Sequence, residues 1–498
     1  MTTGTMPTRV DLIVRGGSVA LPEDDAVRRL DVVIDGGAVL ALADPDQTAS
    51  LYRANEEVDA RGLHVLPGLV DGHVHFNDPG HPEREGYLYG TRAAAAGGIT
   101  TVIDMPLSCA PATVSVEALA LKRAVSAGVA LVDYGHWGGL VTDNVATLAG
   151  LYQDGVLGFK AFMAETGVAD FPRVTDGVLL AGLEEAARLD AIVLVHAEDE
   201  EIAAYYSGRL RAAGRRDPLA WAEGRPESVE VAAIRTLLYL AEVADARVHV
   251  VHVSTPTGLD AVREARGRGV RVTAETCPQY LTLCDEDLAR IGVEAKCGPP
   301  PRSRATVERL WERVLAGDVD SLASDHSPSV TADKTDHADD VWSAWGGVPG
   351  LQTMLPLLLS EGVHRRGLSL PLLARLTAAN PARQFGLAPA KGGLRPGSDA
   401  DLVLVDLEAT WQVRADELVQ RNQHSPYVGM TLRGGVVRTL VRGATVYRRG
   451  PTGEHLFPAP PSHGRLLVRA ADRNAALSST LFHTSGLGTS CGKFVDNR

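Results

Sequence analysis

HVLPGLVDGHVHF, residues 64–76, is an apolar run rich in β-branched residues that ends in two histidines one residue apart, His73 and His75. Strand side chains alternate with a period of two, so this spacing puts both imidazoles on one face of a strand. Seven further runs of the same kind follow: GITTVIDMP, VALVDYGHWG, LGFKAFM, AIVLVHAE, RVHVVHVS, RVTAETC and SLASDH. Between them lie amphipathic stretches rich in Ala, Leu and Glu, such as residues 178–189 and 229–243. Eight apolar runs alternating with helical stretches predict an α/β chain, with a TIM-like (β/α)8 barrel over residues 65–388. A doubly wound sheet is the alternative, but no GxGxxG turn opens a helix.

Outside the barrel the signals change. Residues 1–64 contain short strand-like runs (10–14, 18–21, 31–34 and 38–42) with Gly-Gly turns, and similar runs return over residues 389–450 in ADLVLVDLE and TLRGGVVRTLVRGATVYRRG. The expectation is one small β-sandwich domain built from both chain ends. Residues 451–498 are rich in Pro, Ser, Gly and Thr, and are expected to be an extended or disordered tail.

With 498 residues, 45% of them hydrophobic and 22% charged, the chain can bury a sizeable core, which excludes wholesale disorder. The 49 basic residues against 62 acidic ones leave a net charge of −13, which argues against a general nucleic-acid partner. Cysteines stand at 109, 277, 284, 297 and 491 with no CxxC pair, so a reducing compartment is expected rather than a disulfide framework. The first residues lack an apolar signal-peptide core, and no apolar run is long enough to span a bilayer. A soluble cytoplasmic protein with no membrane partner is the expectation.

The polar residues that matter end the apolar runs. Lys160 lies inside LGFKAFM, His196 ends AIVLVH, His252 ends RVHVVH and Asp325 ends SLASD. Together with His73 and His75 they fall at the ends of five barrel-like strands, on the face where such barrels build active sites. A buried lysine is costly unless neutralised or paired. Here it is expected to carry CO2 as a carbamate, becoming a carboxylate able to bridge two metals. Four imidazoles, one carboxylate and this carbamate suit two divalent ions. A water between the ions would ionise near neutral pH, its pKa falling from about 15.7 to about 7. Asp325 is then the general base and acid, in addition to being a ligand. The reaction class is metal-assisted hydrolysis. His326 should point away from this site, as should His249, three residues before His252 on the same run. Cys297 reads as a packed thiol, because a metal-activated water makes a nucleophilic thiol unnecessary.

These residues resemble those of the cyclic amidohydrolases, a group holding dihydroorotases, hydantoinases (dihydropyrimidinases) and allantoinases. The resemblance spans about residues 10–449 and implies the barrel-plus-sandwich fold. It also implies a metal centre of His73, His75, Lys160, His196, His252 and Asp325, with Lys160 carboxylated. Zinc is the leading metal, with cobalt, manganese, nickel or iron as alternatives. The stretches DGHVHFNDPG, EGYLYGTRAAAAGGITTVIDMP, GFKAFMAETGVADFP, ASDHSP, AWGGVPGLQ and SPYVGMTLRG are most similar to allantoinases, which implies a small cyclic ureide as substrate, a role in purine breakdown and a homotetramer. A dihydroorotase would carry Arg where this chain has Asn77, to pair a carboxylate. Hydantoinases carry Tyr at the position of Glu165. Asn77, Gly298, Gly346 and Gly347 are the expected substrate contacts, although Asn77 could cap a turn and the glycines could serve turns alone. Gln279, Gly298 and His81 depart from the allantoinase pattern, and none is a metal ligand. The alternatives are a hydantoinase-type enzyme or a non-catalytic relative retained as an assembly protein, though such relatives lose ligands.

Overall fold

The computed structural model describes residues 7–469. Its strands, in chain order, are β1 (Thr8–Val19), β2 (Arg28–Asp35), β3 (Ala38–Ala43), β4 (Tyr52–Asp59), β5 (His64–Pro67), β6 (Leu69–Val74), β7 (Ile99–Asp104), β8 (Asp133–His136), β9 (Gly138–Gly139), β10 (Phe159–Phe162), β11 (Ile192–His196), β12 (Arg247–Val250), β13 (Val272–Thr276), β14 (Ser321–Leu322), β15 (Leu402–Gln412), β16 (Thr431–Val441), β17 (Ala444–Arg449) and β18 (His455–Leu456). Parallel pairing runs β6-β7-β8 and then β9-β10-β11-β12-β13-β14. Only Trp137 separates β8 from β9, so the two act as one barrel position. The ring closes where Val74 bridges His326 and the His75 N–H donates to the His326 carbonyl at 2.8 Å. This is the (β/α)8 barrel.

Alternation along the strands sorts the side chains. Val193 and Val195 on β11, with Val248 and Val250 on β12, pack outward against Leu179, Leu183, Ile234 and Leu237. Those four lie on the helices Asp176–Arg188 and Glu227–Ala244, which occupy the amphipathic stretches seen in the sequence. The opposite parity, Ile192, Leu194 and Val251, belongs to an inner cluster with Trp137 and Phe385. Each buried Val or Leu removes apolar area worth about 1.5–3 kcal/mol, so a one-residue register slip would be strongly disfavoured.

HVLPGLVDGHVHF serves two sheets. Its first half, β5, pairs antiparallel with β15 and parallel with the end of β1, and its second half, β6, opens the barrel. Gly68 at the junction has no room for a side chain, since a Cβ there would come within 2.3 Å of Thr100. Strands from both chain ends form the expected β-domain as one continuous nine-stranded mixed sheet, β18-β17-β16-β15-β5-β1-β2-β3 with β4 beside β1. Leu12, Val14 and Val32 from the N-terminal part share a core with Leu402 and Leu404 from the C-terminal part.

The first part of the tail is extended and paired to the rest of the chain. Residues 451–469 hold β18 and pack onto the barrel, with Leu466 bridging Tyr134 and the Gly464 N–H donating to the Ala130 carbonyl at 2.8 Å. Backbone pairing of this kind does not need the apolar periodicity that the composition lacks. Residues 470–498 lie outside the described residues.

Candidate metal centre

His73 and His75 leave the end of β6 with ring centroids 5.5 Å apart. Asp325, just past β14, brings its Oδ1 to 3.2 Å from His73 Nε2 and 3.6 Å from His75 Nε2. On the other side, His252 Nε2 lies 2.8 Å from His196 Nδ1. The His73 and His252 rings stand 5.5 Å apart, so the two groups share one site. Lys160, from the middle of β10, is wholly buried, and its Nζ has no hydrogen-bond partner among the described residues. Burial drives its amine down to about 7, with Glu275 and Asp325 pulling the other way. Burial likewise lowers His75 and His252, which favours the uncharged ring that can ligate. Burial would raise the Asp325 carboxyl, but the His73 and His75 rings and Lys160 outweigh it and hold it below the ordinary range.

Strand alternation does not explain every ligand. His252 and Asp325 both take left-handed backbone, with φ of 42° and 47°. Such backbone is uncommon for residues with a Cβ and tends to occur where function demands it. At His252 it breaks the period of two, which corrects the expectation for His249. That residue also faces the barrel interior, where its Nε2 meets Glu275 Oε2 at 3.0 Å. His326 does turn away, its Nδ1 accepting the Gly350 N–H at 3.1 Å.

Two carboxylates that the sequence reading did not single out orient the rings. Glu275 Oε1 lies 2.6 Å from His73 Nδ1, and Glu198 Oε2 lies 2.9 Å from His196 Nε2. Each accepts from the outer ring nitrogen and leaves the inner lone pair aimed at the site, as partners of metal-bound histidines do. Burial would raise Glu198, but Arg225 and His196 outweigh it and hold its pKa at about 2. The signal was present in the runs themselves, because an acid inside AIVLVHAE or RVTAETC is costly unless it is paired.

A cavity of about 580 Å3 opens above these groups. His73, His75, His196, His252, Asp325, Gly298, Gly346, Gly347 and Glu165 line it. Asn77 does not. It is buried, its Nδ2 donating to the His75 carbonyl at 3.2 Å with backbone φ of 60°, while its Oδ1 has no hydrogen-bond partner among the described residues. Cys297 lines the wall as a packed thiol that burial pushes up to about 12. Trp345, within the AWGGVPGLQ stretch, and Trp342 just before it also line the cavity, with Arg84 stacked 4.2 Å from the Trp345 ring centre.

The donor set fits a dinuclear divalent centre. It offers imidazole nitrogens, a carboxylate and a buried amine with no hydrogen-bond partner among the described residues.

The model of the Amidohydrolase family matches residues 64–446. The chain is 47% identical over 453 residues to a protein named allantoinase from Rubrobacter xylanophilus, covering 90% of this chain and 98% of that one. It is 41% identical over 477 residues to an allantoinase from Solibacter usitatus, covering 96% and 99%. Among solved structures, the L-hydantoinase (dihydropyrimidinase) from Arthrobacter aurescens superimposes with a TM-score of 0.88 at 35% identity, covering 92% of this chain and 100% of that one. With histidines at the strand ends of a parallel barrel and a family match over most of its length, this chain belongs to the amidohydrolase family.

Proposed function

We propose that the protein hydrolyses the cyclic amide of allantoin, a hydantoin ring bearing a ureido group, to give allantoate. The observation that carries this reading is the convergence of His73, His75, His196, His252 and Asp325 around the unpaired Lys160 amine. The relatives at 41–47% identity support allantoin as the substrate.

His73, His75 and Asp325 would hold one divalent cation and His196 and His252 a second, with Lys160 between them as a carbamate. Zinc is the first choice, and cobalt, manganese, nickel and iron are alternatives. Such a pair supplies an electrophilic pull on the ring carbonyl and a water acidic enough to attack it near neutral pH. The remaining chemistry belongs to the chain. Asp325 takes the proton of the attacking water and passes it to the ring nitrogen as the C–N bond breaks. Glu275 and Glu198 keep His73 and His196 in the tautomers that face inward. Backbone groups at Gly298, Gly346 and Gly347, which line the cavity, would hydrogen-bond the lactam or ureido edge.

A hydantoin-type substrate is the second reading, favoured by the L-hydantoinase likeness. A homotetramer in the cytoplasm, acting in ureide breakdown, completes the proposal. No helix among the described residues is long and apolar enough to cross a membrane.

The test is a substrate panel on the purified protein reconstituted with metal: allantoin, hydantoin, dihydrouracil and dihydroorotate. Ring opening of allantoin alone is expected. Opening of hydantoin or dihydrouracil in its place supports the second reading. Silence on all four, with two metals bound, overturns the catalytic assignment.

A further inference from the structure

One wall of the cavity plays no part in holding the proposed metals. Trp221, Arg225, Lys296 and Gly298 form it. The Arg225 guanidinium stacks on Trp221, its Cζ 4.2 Å from the ring centre, and its Nη1 stands 3.6 Å from Glu198 Oε2. No nitrogen of this side chain donates a hydrogen bond within the described residues, and its Nε and Nη1 are wholly buried. Glu198 shows the complementary lack, because its Oε1 is buried and accepts nothing. Arg225 and Glu198 therefore form a long ion pair at the cavity wall whose remaining donors and acceptor lack hydrogen-bond partners, and groups in that state carry a cost that a ligand engaging the pair, with a small shift of the side chains, can remove. Lys296 adds a second cation, its Nζ 4.2 Å from the same indole centre and anchored to the Ala344 carbonyl at 2.5 Å.

Gly298 joins this wall to the metal ligands. A Cβ at that position would lie 3.7 Å from Glu198 Oε2, 3.9 Å from Trp221 and 4.0 Å from His196 Cε1. A ligand group that passes Gly298 from the site of ring opening thus reaches the indole and the guanidinium.

We propose that this wall is the subsite for the exocyclic group of the substrate. It selects a ring that bears a ureido group over rings bearing hydrogen or an apolar substituent. A urea is planar, so it can lie against an indole. Its carbonyl accepts from guanidinium N–H groups, and its own N–H groups can donate to a carboxylate oxygen. The inference rests on the ring-opening reading above and specifies its substrate class. The competing role for Arg225 is as a positioning residue that keeps Glu198 ionised and thereby holds His196.

Two substrates that differ by one ureido group separate these roles. The values of kcat/KM for allantoin and hydantoin are measured for the metal-reconstituted wild type, Arg225→Lys and Arg225→Met, with metal content determined for each. If hydantoin is not turned over, its inhibition constant against allantoin takes its place. Arg225→Lys keeps a cation beside Glu198, so its metal content should match wild type. It should lose about tenfold or more on allantoin, mainly in KM, and less than about twofold on hydantoin. Equal losses on both compounds, or losses that follow metal content, overturn the subsite and leave Arg225 as a positioning residue. A wild type that opens hydantoin but not allantoin, or neither, defeats the proposed function itself, and that result is read before any variant is made.

Discussion

The Nδ1 of His73 lies 2.6 Å from Oε1 of Glu275, joining the first barrel strand to the seventh across 202 residues of sequence. Glu275 is wholly buried, and its second oxygen receives His249. Burial would raise this carboxyl, but the His73 and His249 rings outweigh it and keep it ionised. Glu275→Gln should therefore let His73 take the wrong tautomer and weaken metal binding by about 10- to 100-fold. Competition with a chelator measures this directly. Unchanged affinity would show that the contact only fills space.

On the proposed reading Lys160 serves the site and not the fold, since its Nζ has no hydrogen-bond partner among the described residues. Lys160→Ala should abolish turnover and lose bound metal while keeping the native circular dichroism spectrum. A short carboxylic acid added to the variant should restore part of the activity by standing in for the carbamate. Normal turnover without added acid would sink the carbamate assignment.

The glycines of the cavity wall differ in tolerance. A Cβ on Gly347 would come within 2.5 Å of Ser327 Oγ and 2.6 Å of the Ser327 carbonyl, two residues from Asp325. Gly347→Ala must shift that backbone, and a misplacement of about 1 Å in the proton-transfer group costs on the order of 100-fold in kcat. The nearest atom to a Cβ on Gly346 is Lys296 Cε at 3.7 Å, so Gly346→Ala should stay close to wild type. Steady-state kinetics on the pair test this contrast. Equal kcat in both variants would remove Ser327 as the link to Asp325.

Lys391 lies wholly buried among three carboxylates, 2.5 Å from Asp133, 2.7 Å from Asp401 and 2.9 Å from Asp399. Arg442 completes the cluster at Asp133 and also holds the His463 carbonyl. The cluster therefore ties together the barrel, the end-domain and residues after 451. Removing the central cation leaves buried like charges, so Lys391→Met should destabilise by about 3–5 kcal/mol. Burial works against the Lys391 charge, but the three aspartates outweigh it and raise its pKa above the ordinary lysine value. A raised lysine stabilises fully below its unfolded pKa, and that contribution is lost as pH climbs through the folded one. In the variant the carboxylates lack their cation and bind protons more readily folded than unfolded, so the deficit should shrink as pH falls toward the carboxylate range. Thermal midpoints across pH read both slopes. A deficit that is constant with pH would contradict the charge argument.

Much of this molecule follows from local pattern. The eight strands could be found because β-branched runs that bury both faces look different from the amphipathic helices between them. The proposed ligands could be singled out because His73 and His75 share a strand face, and because Lys160, His196, His252 and Asp325 each end or interrupt such a run. These are short-range properties of the chain, governed by the periods of strand and helix. What only the tertiary structure decided depends on partners far away in sequence, or on single backbone angles. Glu275 and Glu198 become ring-orienting carboxylates only when the barrel closes and brings imidazoles to them. The left-handed turn at His252 places both His249 and His252 inside, which no alternation rule anticipates. The left-handed backbone of Asn77, which lets its Nδ2 reach the His75 carbonyl, is likewise not legible from its place in the run. The strand at residues 455–456 and the bridge from Leu466 to Tyr134 form because the edge of a folded sheet and barrel offers unpaired backbone groups. Their own composition would not have produced a strand, since backbone hydrogen bonds carry no side-chain signature.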